Sequence, residues 1–443
     1  MSKIKVNTIA PRSGTTVTLG EAGDTIALGA CASQTGFGRT GTVDWCTTVK
    51  TSPLTAVSGK GYFVNTCGGA VTVTLPASPS AGDIVSLKDY KDTWGTACKS
   101  VTLGRNSSKI GGMCFDASLG TEGQSVTMVY VDGTQGWENI QTDTTVKGRE
   151  YICASGGNAT VTCGDYKTHI FTADGCLAVN FVAAPAPANV VDYIVVAGGG
   201  SGGLGDGAGG GAGGFRYFSA LSPAGSPLVA PAGLTVTATT FPITVGGGAA
   251  GTPSGLGNAG APSVFSSITS AGGGGGGAGP IPVADPKQDG GSGGGGTSSR
   301  PAGAGNTPPV APPQGQNGTA GPGQGGGGGG AGGVGGPSPG STGGKGGLGS
   351  YIPTGFMGPT APSYGTGGPV PAVRYFAGGA GGHGDSAPGP APDGGGGGAG
   401  DVAPGPALTN GTVNTGGGGG GAQPHPISGT GGSGIVMIRY KYQ

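Results

Sequence analysis

Five uninterrupted glycine runs constrain this chain more than any other feature: 272–277, 293–296, 325–330, 394–398 and 416–421. A run without side chains carries no apolar stripe to bury, and glycine weakens helix and strand interiors alike. No strict Gly-X-Y repeat runs through the segment, so it is not collagen. Two readings remain. A glycine-rich chain can be a flexible coil, although so long a linker would serve no spacing purpose between two strands that pair. Alternatively, each run adopts the extended threefold conformation, which rises ~3.1 Å per residue, so six glycines make two turns over roughly 19 Å. Its N–H and C=O groups then point sideways and must pair if buried. Rods of this kind, packed several deep, would form a lattice whose core is peptide rather than hydrocarbon.

The glycine is not evenly spread. Residues 1–182 hold 25 of the 110 glycines, which leaves 85 for residues 183–443. All eight cysteines and all four glutamates lie in the first part. The expected organisation has four parts. Residues 1–30 read as short β segments that pack on the next domain or find partners in identical chains. Residues 31–146 alternate in period two with turn residues between the runs, the pattern of a small sandwich or jelly-roll-like module. Trp94 and Trp137 are expected in its core or at a strand edge. Residues 147–189 add a short β module and an Ala-Pro hinge. Residues 190–443 carry the glycine, bracketed by the strands Val190-Val-Asp-Tyr-Ile-Val-Val-Ala197 and Gly434-Ile-Val-Met-Ile-Arg-Tyr440. Pairing of these two strands would close the glycine-rich part on one sheet. Cys153 and Cys163 could face each other across a hairpin as a disulfide, with free thiols as the default.

Charge excludes several functions. Lys+Arg and Asp+Glu balance at 21 each, which leaves no electrostatic footprint for nucleic acid or anionic lipid. No apolar stretch approaches the roughly 20 residues of a spanning helix. His169, His383 and His425 lie far apart in sequence and predict no metal site. A glycan hydrolase needs paired carboxylates. The glycine-rich part offers only isolated aspartates (Asp206, Asp285, Asp289, Asp385, Asp393 and Asp401), and Asp89/Asp92 and Glu122/Glu138 read as solvated strand ends. Gly198-x-Gly200-x-x-Gly203 follows a strand as a dinucleotide fingerprint would, but no helix follows it. No enzyme and no cofactor is expected.

The loops between the runs are the variable surface: 204–206, 281–288, 300–316, 351–376 and 402–414. The fourth concentrates Tyr351, Phe356, Met357, Tyr364, Arg374, Tyr375 and Phe376 in a chain poor in aromatics. Aromatics and arginine on a rigid scaffold have the composition of a binding tip. The competing reading tucks Arg374-Tyr-Phe376, like Phe215-Arg-Tyr217, onto the edge of the lattice.

The residues 191–200, Gly209-Gly-Gly-Ala-Gly-Gly-Phe-Arg216, Ile243-Thr-Val-Gly246, 272–277 and the closing strand 434–440 resemble the glycine-rich domain of bacteriophage tail fibres. Lys3-Ile-Lys-Val-Asn-Thr-Ile9 is similar to the start of fibre proteins of marine phages, cyanophages in particular. The stretch from Ala77-Ser-Pro-Ser-Ala-Gly-Asp83 to Val129-Tyr-Val-Asp132 looks like a β module of the same proteins. The resemblance implies a virion fibre or adhesin, a homotrimer joined to other tail proteins. It would be assembled in the host cytoplasm, released by lysis, and would contact a receptor on the bacterial surface through loops on a polyglycine-helix bundle. A structural appendage or capsid decoration fibre of the virion that recognises nothing is the alternative.

Overall fold

The computed structural model describes residues 43–95, 99–140, 147–148, 151–182, 189–221, 226, 228–279, 285–402, 409–423 and 425–442. The segments 1–30 and the hinge residues 183–188 lie outside these. Among the described residues the architecture is almost wholly β.

The first unit is built from two five-stranded sheets around one core. One sheet runs Asp44–Lys50, Lys60–Val64, Ile84–Asp89, Ser125–Asp132, Gly136–Asn139; the other runs Lys147–Gly148, Ala117–Leu119, Val101–Gly104, Val71–Thr74, Leu54–Thr55. The chain alternates between the sheets through its first six strands, and strands that neighbour each other within that series pair in parallel. The expectation of a small sandwich or jelly-roll-like module set no strand direction, and the parallel pairing is what the structure adds. Each crossover is supplied by a strand of the opposite sheet, so parallel pairing needs no helix. The remaining strands add in antiparallel fashion. Period-two alternation fills the space between the sheets with Val64, Leu87 and Met128 from one and Val73, Leu103 and Leu119 from the other. Trp94 and Trp137 are fully enclosed. Asp89 is no solvated strand end: it is buried, and its carboxylate accepts from the amides of Trp94 (3.0 Å) and Gly123 (3.1 Å).

The strands after residue 150 belong to the same sheets as the glycine-rich half. A six-stranded sheet runs Ala159–Cys163, Tyr166–Phe171, Ile435–Lys441, Val190–Val196, Phe215–Phe218, with Leu234–Thr235 paired to the start of Val190–Val196. A second sheet runs Cys153–Ser155, Gly175–Phe181, Thr240–Thr244, Ser263–Phe265, Ile268–Ser270. The two bracketing strands do pair, antiparallel, from Asp192 opposite Arg439 to Val196 opposite Ile435. Cys153 and Cys163 fall in different sheets, and Cys163 is an exposed free thiol, so no bond joins them.

The central strands are apolar on both faces because both are covered. Val191, Tyr193, Val195, Val436 and Ile438 pack with Leu177, Ile243 and Phe265 of the second sheet. Ile194, Val196, Ile435 and Met437 face the other way, into a separate core. At the rim of the sheet the buried Asp192 and Arg439 form an ion pair of 2.7 Å, and the guanidinium lies 3.6 Å from the Tyr166 ring centroid.

Beyond the sheet the chain leaves as extended glycine segments that run out, turn and return. Residues 197–203 continue from Val190–Val196, turn at 204–207, and come back as 208–214 into Phe215–Phe218. Their amides bond with a period of three. Ala208 and Gly211 donate to Gly277 and Gly274; Gly209 and Ala212 donate to Gly326 and Gly329; Gly210 and Gly213 donate to Gly419 and Gly416, all at 2.8–3.0 Å. Residues 198–203 repeat the scheme toward 258–261, 429–432 and 208–211, and 326–331 toward 293–296, 333–336 and 377–380. Each segment thus serves three neighbours by donation and accepts from others. The amides of Gly198, Gly200 and Gly203 are bonded to carbonyls of Ala261, Gly211 and Ala208, which removes them as phosphate ligands.

Close approach, rather than a left-handed backbone, demands glycine here. A methyl group added at Gly328 would overlap the carbonyl oxygen of Gly210. At the exposed Gly247 the same methyl meets nothing within 4 Å. Gly328→Ala is therefore expected to lower stability by about 3 kcal/mol or more, through overpacking and lost backbone hydrogen bonds. Gly247→Ala should stay within about 0.5 kcal/mol of the parent. Denaturant midpoints of the two variants, side by side, check this; equal midpoints would remove the close-packed backbone from the account.

Candidate recognition end of the glycine-rich half

The glycine segments give the half two ends, one at the sheets and one free. The seven aromatic-loop residues singled out in the sequence lie at the sheet end. Ser350–Pro353 pairs with Val373–Phe376, and the short helical turns Thr354–Phe356 and Gly358–Ser363 fill the connection. Phe356, Met357, Tyr375 and Phe376 are all at most 1% exposed. Phe356, Met357 and Phe376 close the second core over Ile194, Val196, Phe215, Tyr217, Ile435 and Met437. The Thr168 hydroxyl donates to the Phe356 carbonyl at 2.8 Å, and the rings of Tyr217 and Phe356 lie 5.9 Å apart. Side chains so enclosed reach no external partner. The reason is the sheet: its outer apolar face needs a lid, and this loop is the lid. Tyr351, Tyr364 and Arg374 are half-buried. Arg374 donates to the carbonyls of Tyr364 (2.8 Å) and Gly365 (2.7 Å), which ties the loop to itself.

The free end is formed by the far turns. Leu204 and Gly205 donate to Gly255 and Ala422, Gly279 donates to Gly205, and His383 donates to Gly207. The lattice brings together there residues that are scattered in sequence. Asp401 is fully buried; His383 Nδ1 approaches its Oδ1 at 2.5 Å, and the Gln423 amide donates to both of its oxygens, at 2.9 and 3.1 Å. His425 Nε2 stands 3.5 Å from Asp401 Oδ2, and His383 Nε2 stands 3.5 Å from Oδ1 of the exposed Asp385. Asp385 also accepts from Gln324 Nε2, and the Asp206 amide donates to Gln423 Oε1, both at 2.5 Å. Two of the three histidines thus meet around one carboxylate, which linear spacing did not reveal. Among the described residues no three His, Cys, Asp or Glu side chains stand so as to hold a metal ion, and no helix is long and apolar enough to cross a membrane.

Burial pulls the His383 imidazole down, but hydrogen bonds and charge from Asp401 and Asp385 outweigh it, so its pKa lies above the ordinary histidine value. A histidine raised on folding contributes stability that is complete below its ordinary value and is lost as pH rises through the higher folded one. His169, which lies in a sheet, goes the opposite way: burial lowers it, against its hydrogen bond to the Gly156 carbonyl.

A family described as a glycine-rich domain matches residues 176–441. The chain belongs to this glycine-rich domain family. The match begins within Gly175–Phe181 and ends with the closing strand Ile435–Lys441, so it takes in strands of both clamping sheets and not the glycine segments alone, while Cys153–Ser155, Ala159–Cys163 and Tyr166–Phe171 precede it. No curated protein matches the chain.

Two outcomes are expected of this geometry. Phe356→Ala should destabilise the glycine-rich domain by about 3–5 kcal/mol, as removal of an enclosed ring does; a shift under about 0.5 kcal/mol would put the ring on the surface. The ring protons of His383 should titrate with a midpoint above about 6.5, and unfolding midpoints should fall as pH rises through that midpoint. A pH-independent stability across this window would deny the network any role in holding the free end.

Proposed function

We propose that this chain is a bacteriophage fibre protein, a virion adhesin whose glycine-rich domain presents a rigid free end to the bacterial surface. The observation that carries the reading is the period-three bonding of 198–203, 208–213 and 326–331. We read these segments as polyglycine-II rods, because a threefold extended chain turns every third amide toward the same neighbour. A peptide lattice of this kind has few side chains between its ends, so sequence is free to vary only in the turns. Those at the sheets are occupied by core packing. Those at the free end have no such duty and carry the polar groups Asp206, Gln324, Asp385 and His425.

The resemblance to tail-fibre domains supports the same reading and supplies its biology. On it, the chain trimerises and attaches to other tail proteins through its N-terminal segments, is assembled in the host cytoplasm, and leaves in the virion by lysis. Recognition then needs no catalysis: a receptor polysaccharide or outer-membrane protein is held by turns on a scaffold whose ordering cost is met before binding.

The test is adsorption of the fluorescently labelled full-length chain to a panel of marine bacteria, cyanobacteria included. Binding to particular strains is expected, with loss of at least about tenfold in affinity for the combined variant Leu204→Ser, Asp206→Asn, Asp385→Asn. Tyr351→Ser and Tyr364→Ser, at the sheet end, should bind as the parent does. Loss in the tyrosine variants with retention in the free-end variant would return recognition to the aromatic loop. A chain that adsorbs to nothing yet is found in every virion would be a structural appendage.

A further inference from the structure

Seven cations lie in 190–443, and Arg300 differs from the others that are buried. Arg439 is paired with Asp192, while Lys345 and Lys441 have Asp393 and Asp165 at the surface. Arg374 is satisfied by two carbonyls. Arg300 is 4% exposed, and its hydrogen bond from Nη1 to Gln288 Oε1 is long, at 3.3 Å. Its Nε has no partner, nor has the hydroxyl of Thr297, which is 3% exposed. The two residues close one turn, with Thr297 N donating to Arg300 O at 2.9 Å and Arg300 N to Thr297 O at 3.2 Å.

No carboxylate among the described residues lies within ion-pairing distance of this guanidinium. The nearest acids in sequence are engaged elsewhere: Asp285 accepts from the Lys287 amide and Asp289 from the Ala304 amide. Gln288 offers one neutral oxygen and commits its own amide to Gly295 and Pro301. A guanidinium stays charged at any relevant pH, and a buried charge is unfavourable unless it is paired. The turn itself is at the surface, since Ser298 and Pro301 on either side are exposed. It belongs to the free end: Gly277, beside the Arg300 side chain, leads to Gly279, which donates to Gly205 of the far turn.

We propose that Arg300, with the Thr297 hydroxyl, binds a carboxylate carried by an external ligand such as an acidic sugar. Nη1 faces Gln288, which leaves the Nε–Nη2 edge of the guanidinium, a planar fork whose two N–H groups match the two oxygens of a carboxylate. Thr297 supplies a third donor. Because Arg300 Nε and the Thr297 hydroxyl are buried, binding requires the 297–300 turn to shift outward. The inference rests on the free end being the recognition surface, and it names the chemistry recognised there.

The test uses the full chain labelled with [15N]arginine, whose eight arginines give few side-chain resonances. Sodium glucuronate is titrated at constant ionic strength against sodium chloride, with methyl sulfate in a parallel series. One Nε–H resonance, identified by its loss in Arg300→Lys, is expected to shift saturably with glucuronate alone, and Thr297→Val should weaken binding several-fold. No saturable shift, or the same shift in chloride, overturns the proposal. A saturable shift with methyl sulfate only overturns its carboxylate class. If Arg300→Lys does not fold, the parent titration together with Thr297→Val still decides. A chain that adsorbs to cells but ignores glucuronate sinks this inference and spares the recognition reading. One that binds glucuronate but no cell does the reverse.

Discussion

Backbone amides bonded to the carbonyls of three neighbouring segments are the interaction on which the glycine-rich domain depends. Such a bond contributes ~1 kcal/mol net, while fixing a residue's backbone costs roughly 1–2 kcal/mol, and glycine stands at the upper end of that range. Residue for residue the lattice is therefore neutral or worse. It persists because most of its segments approach closely enough to bury their backbone bonds. A single added methyl, as at Gly328 against the Gly210 carbonyl, takes that away. Glycine is thus required for its missing Cβ, and the positive-φ glycines, such as Gly205 and Gly255, sit at turns.

The surplus stability must come from hydrocarbon, and the sheets supply it. The strands Val190–Val196 and Ile435–Lys441 enter and leave the lattice side by side, and both of their faces are packed. Pairing them closes a loop of some 240 residues whose ends would otherwise diffuse apart. The aromatic loop completes the clamp by covering the face that the second sheet does not. In that light its composition is explained without a ligand: a sheet with two apolar faces needs a second set of large side chains, and Phe356, Met357 and Phe376 provide them.

Anchoring one end leaves the other to polar chemistry. Among the described residues no apolar cluster lies at the free end; its turns are held by backbone bonds and by Asp401, which gathers His383, His425 and the Gln423 amide. A buried carboxylate bonded in this way orders three turns at once. Arg300 shows the opposite state, a buried charge left without its counterpart. The same end thus contains one network that is satisfied internally and one buried group that is not, and the second keeps bonding capacity for something outside the molecule.

Much of the fold was legible in the residues. Period-two alternation placed the strands of the first unit, the two long apolar strands were recognisable as partners, and of the two places open to Trp94 and Trp137, core or strand edge, the structure takes the core. The parallel pairing of the first unit was not legible, because alternation sets which face is buried and says nothing of strand order. Asp89 looked solvated because its two amide donors come from Trp94 and from a distant turn. The sequence by itself determined that the second half must pack backbone on backbone if it packs at all, since glycine runs contain nothing else to bury. Only the tertiary structure decided which turns face outward. Glycine segments differ in direction and neighbour far more than in composition, so the position of Phe356 under a sheet and of His383 beside Asp401 follows from three-dimensional packing that no local pattern encodes.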